Sequence, residues 1–389
     1  MKTDTIMRRS FWLALIDQEW QRPILWLSGV RRAGKTFLCK SIHRMEYFDC
    51  ELPRVRRLME DPEGFLDSVK GRRIVLDEIH RLDNPSQLLK IAADHYPDIK
   101  IIATGSSTLG ASSRFKDTLA GRKTDLLMTP MVTSDLADFD CNDLQRRFLR
   151  GGLPPFFLED HLPERWFQEW IDAFWAKDIQ ELFRLERRHS FQKFLELLLN
   201  QSGGIFEASR LARPCEVSRT TIGNYLSVLE STFVVTVIRP FSTNRPAEIL
   251  AAPKVYGFDT GFICYFKGWH ELRPDDAGIL WEHYVLNEIQ AQLQTRRILY
   301  WRDKRGHEVD FVLKGRGKNP VAIECKWSTP SFDPSGMQAF RRQYEKGDNY
   351  VVVSDVPRPA RRTFGNIDVT LTNISDLIKA IRAGGYSIL

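Results

Sequence analysis

The residues at positions 29–36 have the types and spacing needed to hold a nucleotide. They read Gly-Val-Arg-Arg-Ala-Gly-Lys-Thr and fit the phosphate-loop pattern G-x-x-x-x-G-K-[ST] in full. Glycines in such a loop let successive backbone N–H groups point at phosphate oxygens, and the helix that follows presents its positive N-terminal end to the same anion. Lys35 can reach the β- and γ-phosphates, and the Thr36 hydroxyl can bind Mg²⁺. The pattern therefore predicts a site for ATP and Mg²⁺.

A second acidic motif follows at the distance expected after a phosphate loop. The apolar run Ile74-Val75-Leu76 ends in Asp77 and Glu78, which is the Walker B pattern. Asp77 would hold Mg²⁺ directly or through water, and Glu78 would orient and polarise the attacking water. The residues predicted to bind the nucleotide and its metal are Gly29, Val30, Arg31, Arg32, Ala33, Gly34, Lys35, Thr36 and Asp77.

Polar residues after a third apolar run are candidates for sensing the γ-phosphate. Residues 99–104 read as a strand, and Gly105-Ser106-Ser107 follows it. Ser106 fits the sensor-1 position of AAA-type ATPases, with Thr104 as the alternative, although a serine after a strand also serves as a simple cap. Arg122, or alternatively Arg114, is a candidate arginine finger in a basic loop.

These motifs require a parallel sheet to bring them together. Residues 24–27 and 46–50 read as strands before and after the helix that follows the phosphate loop, and a helix is predicted from Pro62 to about Val69 with Asp61 as its cap. Strands that alternate with helices up to about residue 140 indicate a parallel sheet with helices on both faces.

The middle of the chain has a different pattern. The Gly- and Pro-rich segment 150–155 marks a boundary, and residues 166–199 form a long helical region whose aromatic side chains are expected in a core. Residues 208–233 have the apolar spacing of a helix-turn-helix, and Phe233–Arg239 would be a wing. In a DNA-binding protein, the second helix would present to the groove the residues Arg219, Thr220, Thr221 and Asn224. The alternative is a winged helix used as a spacer or protein contact.

The C-terminal third carries acids on two predicted strands. Alternation places Glu308 and Asp310 on one face of the first strand, and Glu324 and Lys326 on one face of the next. An Asp followed on the neighbouring strand by Glu-x-Lys is the arrangement of metal-dependent nucleases of the PD-(D/E)xK type, in which a metal ion activates water. A structural ion-pair cluster, or a fold that has lost catalysis, explains the same residues.

Composition restricts the class of protein. The chain has 389 residues, 43% of them hydrophobic, so two or three soluble domains are expected. No apolar run approaches the roughly 20 residues of a membrane span, and six cysteines without a C-x-x-C pair argue against zinc and disulfides. The net charge is +6, and from Trp281 onward 17 Lys/Arg outnumber 12 Asp/Glu. We therefore expect a cytoplasmic protein without a membrane partner; the basic surplus favours DNA only weakly.

In order and in kind, the motifs resemble those of a family of prokaryotic AAA-type ATPases. In that family the C-terminal domain, of unknown function, has a restriction-endonuclease-like fold. The matching pieces also include Gly151-Gly152-Leu153-Pro154, Trp281-Glu282 and Glu324-Cys325-Lys326. The resemblance implies an ATPase domain, a winged helix and a nuclease-like domain whose site would comprise Glu282, Asp310, Glu324 and Lys326. It implies no established biological role.

The sequence thus predicts an α/β protein in three parts. These are a P-loop ATPase with a parallel sheet at residues 1–148, a helical and winged-helix segment at 149–245, and a PD-(D/E)xK nuclease-like domain at 246–389. The favoured function is Mg²⁺-dependent ATP hydrolysis coupled to a module that binds nucleic acid or another partner, which includes a homo-oligomer. The alternatives are an ATP-regulated DNA nuclease and a DNA-binding regulator that uses ATP only as a switch.

Overall fold

A computed structural model describes residues 9–105, 113–180, 183, 185, 187–243 and 252–386. The chain divides into two compact units that each draw on separate parts of the sequence. The first unit comprises Met1–Asp143, Gly152–Glu186 and Ser231–Val234, and the second comprises Leu144–Gly151, Arg187–Glu230 and Val235–Leu389. The chain therefore passes from one unit to the other five times.

The helices and strands are numbered along the chain. The α-helices are α1 Ser10–Glu19, α2 Lys35–Ser41, α3 Pro53–Leu58, α4 Pro62–Ser68, α5 Pro85–His95, α6 Ser113–Thr118, α7 Thr133–Asp138, α8 Leu144–Arg150, α9 Pro154–Leu158, α10 Arg165–Phe174, α11 Arg188–Asn200, α12 Ala208–Ala212, α13 Arg219–Ser231, α14 Thr260–Lys267, α15 Pro274–Leu293, α16 Ser335–Gln343 and α17 Ile374–Ala383. The strands are β1 Ile24–Ser28, β2 Glu46–Asp49, β3 Arg73–Asp77, β4 Lys100–Thr104, β5 Lys123–Leu127, β6 Val235–Pro240, β7 Lys254–Gly257, β8 Leu299–Arg302, β9 Glu308–Leu313, β10 Val321–Lys326, β11 Asn349–Val353, β12 Ala360–Phe364 and β13 Ile367–Thr372. A π-helix, Trp175–Gln180, directly follows α10.

The first unit is built on a five-stranded sheet. Its order is β2-β3-β4-β1-β5, and every neighbouring pair is parallel, as the alternation of strands and helices predicts. Strand β1 is buried along its whole length because helices cover both faces of a parallel sheet. The carboxyl ends of β1, β3 and β4 lie at one edge, so this edge gathers the phosphate loop, Asp77 and Thr104.

Local sequence signals predict the start of one helix in this unit accurately. Helix α4 begins at Pro62, and the Asp61 side chain accepts a hydrogen bond from the Gly64 N–H at 3.1 Å, which confirms the predicted cap. The long helical region predicted over residues 166–199 contains three helical elements, which are α10, the π-helix and α11. The helical hydrogen-bond pattern therefore changes between Trp175 and Gln180.

The second unit contains an eight-stranded mixed sheet in the order β12-β13-β11-β10-β9-β8-β6-β7. Strands β8, β9 and β10 are successive antiparallel neighbours, and β11 lies parallel to β10. Helix α15 is fastened to this sheet by the Trp281 indole, which donates to the Val352 carbonyl at 2.9 Å. Strand β6, predicted as a wing, pairs antiparallel with β7 and also parallel with β8. The predicted wing is thus an integral strand of the large sheet.

Two short helices precede this sheet and form the predicted helix-turn-helix stretch. Helix α12 is followed by a turn and then by α13, whose first turn is capped by Ser218; its hydroxyl accepts from the Thr221 N–H at 3.1 Å. Ile222, Tyr225 and Leu229 are buried on one side of α13. Across the described ranges, every helix is too short or too polar to cross a membrane.

Candidate functional site

A cavity of about 740 Å³ lies at the carboxyl edge of the first sheet. The phosphate loop and the residues after β3 form part of its wall, together with Tyr47. Segments well beyond the sheet complete it, at residues 154–158, 174–178 and 232. Because pockets of roughly 300–1,000 Å³ accommodate ligands of nucleotide size, the volume is sufficient for the predicted ligand.

The phosphate loop follows β1 and turns sharply before α2. Gly29 and Gly34 have φ angles of 147° and 101°, and a Cβ on Gly29 would collide with the Met128 carbonyl. Glycine is required at both positions because other residues rarely adopt this backbone region. The Lys35 ammonium donates to the carbonyls of Gly29 at 2.9 Å and Val30 at 3.1 Å. Burial lowers the pKa of Lys35, so an arriving phosphate would stabilise its charged form.

Asp77 is the centre of the hydrogen-bond network below this loop. One carboxylate oxygen accepts from the Thr36 hydroxyl at 2.8 Å and from the Tyr47 hydroxyl at 2.5 Å, and the other accepts from the Thr104 hydroxyl. A hydroxyl and a carboxylate are oxygen ligands of the kind that Mg²⁺ selects alongside substrate phosphates. Thr36 and Asp77 therefore fit the metal position predicted for them.

Glu78 occupies a strained backbone position beside Asp77. Its φ angle is 54°, in the left-handed region that is uncommon for residues other than glycine, and such strain often marks a functional position. Its N–H donates to the Thr104 hydroxyl at 3.2 Å, and its carboxylate lies 3.1 Å from His80 Nδ1. Burial raises the pKa of Glu78, but the His80 hydrogen bond and the nearby cations outweigh burial and hold it below the ordinary value. The side chain is therefore available as a base in its ionised form.

Buried charges that the sequence patterns did not reveal support the phosphate loop. The Arg9 guanidinium donates to both oxygens of Asp135, at 2.9 and 2.5 Å, and to the Ala33 carbonyl at 2.6 Å. The Trp12 indole also donates to Asp135 at 3.2 Å. Arg9 and Asp135 are 1% and 0% exposed, so the pair fixes the loop relative to α1 and α7. Partners 126 positions apart leave no signal in local spacing.

The other predicted catalytic residues are not found together in the cavity. Ser106 lies outside the described residues, whereas Thr104, its alternative, lies in the network around Asp77. The Arg122 side chain binds Asp94 and does not line the cavity, and the Arg114 side chain lies outside the description. Cavity residues that the sequence patterns did not predict are Tyr47, His80, Lys177 and Asp178.

Models of three protein families match successive parts of this chain. An AAA domain matches residues 21–137, which contain the phosphate loop, Asp77 and Glu78. This part of the chain is similar to AAA domains and carries the motifs of a P-loop ATPase. Two domains of unknown function follow it: DUF8612 matches residues 141–273 and DUF4143 matches residues 277–372.

Known proteins similar to most of the chain include two uncharacterized mycobacterial proteins. The proteins from Mycobacterium tuberculosis and Mycobacterium bovis are each 28% identical over 324 residues, which is 80% of this chain and 72% of theirs. Among solved structures, a Walker-type ATPase of Pyrococcus abyssi has a TM-score of 0.43 at 15% identity, covering 68% of this chain and 97% of its own. A Bacillus subtilis DNA clamp loader delta protein has a TM-score of 0.25 at 12% identity, covering 72% and 98%.

Outside the ATPase domain, the second unit brings the predicted acids together with two lysines. We call this group the carboxylate–lysine cluster; its members are Lys254, Glu282, Glu308, Asp310, Glu324 and Lys326. Lys254, only 5% exposed, binds Glu308 and lies 3.8 Å from Glu282, which also accepts from the Tyr256 hydroxyl at 2.5 Å. The sequence patterns do not predict Lys254 or Tyr256, which lie on β7.

On β10, Glu324 is paired with Lys326, two residues later in the chain. Lys326 donates to one oxygen of Glu324 at 2.8 Å, and the other oxygen is buried without a hydrogen-bond partner. Asp310 accepts from the Cys325 N–H at 2.8 Å. The acids of β9 and β10 thus adjoin each other, as the predicted hairpin and following strand require.

Burial and the proximity of other acids raise the pKa values of two members of the cluster. Burial, followed by the charge of Asp310, raises the pKa of Glu282 to about 7 and that of Glu324 to about 8. Burial by itself would lower the pKa of Lys254, but the charges of Glu282, Asp310 and Glu308 outweigh it and keep this lysine protonated. Glu282 and Glu324 therefore hold protons more readily than free glutamates, and Lys254 and Lys326 place positive charge beside the acids. In the part of the chain that the structure describes, no group of three or more His, Cys, Asp or Glu is arranged to hold a metal ion.

Proposed function

We propose that the protein binds and hydrolyses MgATP and that the second unit is a nucleic-acid- or partner-binding module controlled by this cycle. One observation carries the proposal: the Thr36 hydroxyl meets the Asp77 carboxylate at 2.8 Å, with Lys35 and Glu78 lining the same cavity. Binding alone would not require an acid such as Glu78 beside the metal position. The match to an AAA domain supports the same conclusion.

The phosphate loop, the two acids at the end of β3 and the apolar wall have distinct roles in this proposal. The loop N–H groups and Lys35 bind the phosphates, and Thr36 and Asp77 would hold Mg²⁺, which neutralises the charge that develops during phosphoryl transfer. Glu78 accepts a proton from the attacking water. The Thr104 hydroxyl holds Asp77 and Glu78 in place, because it donates to the Asp77 carboxylate and accepts from the Glu78 N–H. The apolar wall suits the nucleoside; its members are Phe37, Pro154, Pro155, Leu158 and Phe174.

The proposal is tested by steady-state ATP hydrolysis of the full chain, alone and with duplex or single-stranded DNA. We expect repeated Mg²⁺-dependent turnover, with a rate that changes when DNA binds. A turnover rate that is insensitive to every DNA form would favour a protein partner for the second unit. Release of no more than one ADP per protein would instead support the regulator that uses ATP as a switch.

The succession of α12, a turn and α13 supports a helix-turn-helix module that holds DNA, although β6, the predicted wing, is a strand of the large sheet. Arg219, Thr220 and Asn224 are exposed on α13. Arg219→Ala is expected to weaken DNA binding and to reduce the slope of log affinity against log salt by about one, because one phosphate contact is lost. Fluorescence anisotropy with a labelled duplex at several salt concentrations measures both quantities. Arg54→Ala, at an exposed position of α3, is the matched control; an unchanged slope in Arg219→Ala would favour the spacer function.

The succession α15, β8, β9, β10, α16 and β11 supports a restriction-endonuclease-like domain, and with it the nuclease alternative. Its residues do not fit a resident metal well, because Lys254 and Lys326 already pair with the carboxylates. We therefore expect no cleavage when the pure protein is incubated with Mg²⁺ or Mn²⁺ and plasmid, duplex or single-stranded DNA. Gel electrophoresis beside an Asp310→Ala variant checks this. Cleavage that is present in the wild type and lost in the variant would establish the nuclease.

A further inference from the structure

Arg31 in the phosphate loop has a guanidinium whose hydrogen-bond donors are incompletely paired. Its guanidinium Nη1 lies 3.4 Å from an oxygen of Asp178, and its Nε is buried with no hydrogen-bond partner. Buried polar groups are nearly always satisfied, and an exception requires an explanation. Because Arg31 lines the cavity beside Lys35, the natural explanation is an anion that binds there.

Asp178 faces the same cavity from a distorted helical turn. It belongs to the π-helix Trp175–Gln180, and turns of this kind are frequent at functional sites. The carboxylate is 18% exposed and interacts electrostatically with Arg31, Lys35 and Glu78. Burial raises the pKa of Asp178, whereas the two cations oppose that shift. The acid thus interacts with two of the three side-chain cations that the loop places in the cavity wall, Arg31 and Lys35.

A second contact ties the loop to the same helical segment. The Trp170 indole, one helix earlier on α10, donates to the Arg31 carbonyl at 3.4 Å. Trp170 in turn stacks on Phe174, with ring centroids 5.2 Å apart and planes 19° from parallel. The backbone of Arg31 is therefore held by α10, and its side chain by the π-helix that follows.

We propose that Asp178 is an anionic placeholder that pairs with Arg31 until the nucleotide phosphates displace it. Phosphate oxygens make stronger charge-assisted hydrogen bonds to a guanidinium than a single 3.4 Å contact provides, and their charge repels the Asp178 carboxylate. Nucleotide binding then breaks the hydrogen bond that joins Asp178 of the π-helix to Arg31. This inference rests on the proposed binding of MgATP, and it makes residues 175–180 a segment that responds to the nucleotide.

The first experiment compares Asp178→Asn with wild type by calorimetric titration with MgATP and MgADP. We expect about tenfold tighter binding in the variant, because asparagine removes the negative charge that competes with the phosphates for Arg31. Asp172→Asn, a substitution of the same kind on α10 away from the cavity wall, is the control and should bind as the wild type does. Equal affinities in Asp178→Asn and wild type would overturn the placeholder and leave the proposed ATPase intact.

Arg31→Ala provides the coupling test. If Asp178 acts through Arg31, Asp178→Asn should add little affinity in the Arg31→Ala background; the full gain there would overturn the proposal. Hydrogen exchange of the wild-type protein is the measurement that needs no substitution. Amides of residues 175–180 should exchange faster after nucleotide is added, and unchanged or slower exchange would count against release. Failure of every variant and of the wild type to bind nucleotide would reject the proposed function and the placeholder together.

Discussion

Substitution of Lys35 by alanine is expected to weaken MgATP binding by at least about a hundredfold. The Lys35 ammonium now donates to two loop carbonyls and is the side-chain cation placed to turn toward the β- and γ-phosphates. Hydrogen bonds to charged groups contribute about 1.5–3 kcal/mol each, and two of them correspond to two or more orders of magnitude in affinity. Isothermal titration calorimetry with MgATP measures the loss directly.

The control for this prediction is Lys90→Ala, which removes an exposed lysine on α5 that does not line the cavity. Thermal unfolding of both variants separates a loss of affinity from a loss of folded protein, because Lys35 also braces the loop. Equal MgATP affinity in Lys35→Ala and wild type would eliminate this loop as the phosphate site.

Replacement of Glu78 by glutamine is expected to leave MgATP binding in place and to slow hydrolysis by at least about a hundredfold. Glutamine keeps the size of the side chain but removes the negative charge that draws a proton from water, and loss of a general base costs about 10²–10⁴-fold in rate. The backbone contact from Glu78 N–H to Thr104 does not involve the substituted group. Phosphate release under saturating ATP gives the rate, and calorimetry gives the affinity.

Glu63→Gln on α4 is the matched control for this variant, since Glu63 is exposed and lies outside the cavity wall. Its turnover should equal that of the wild type. Normal turnover in Glu78→Gln would assign the base to another residue, and weakened binding would show that Glu78 supports the phosphate loop itself.

The chemistry of the ATPase domain could be read from local sequence because each motif is short and contiguous. The phosphate loop, Asp77 and Glu78 are identified by type and spacing, and parallel strands then bring them to one edge of the sheet. Tyr47 and Asp178 could not be found in this way. They reach the cavity through the order of the strands and the path of distant helices, which depend on packing of the whole unit rather than on any local period.

Prediction of the carboxylate–lysine cluster was incomplete for the same reason. Alternation on β9 and β10 indicates which of their side chains share a face, so Asp310, Glu324 and Lys326 were accessible from sequence. Lys254 was not accessible in this way, because its strand, β7, is connected to the other strands of the large sheet through its neighbour β6. A buried lysine among acids changes the chemistry of the cluster. The lysine provides part of the positive charge that a metal ion would otherwise provide.

The five passages of the chain between its units bear on how the activities can be separated. A gene fragment that stops at Asp143 would encode every nucleotide motif yet lack Pro154, Phe174, Asp178 and Thr232, which complete the cavity wall. A fragment that begins at Arg187 would in turn lose helix α8, which belongs to the second unit. No single cut in the gene or by a protease therefore yields both units whole. Point substitutions, rather than truncations, are therefore the means of inactivating one unit while the other is kept whole.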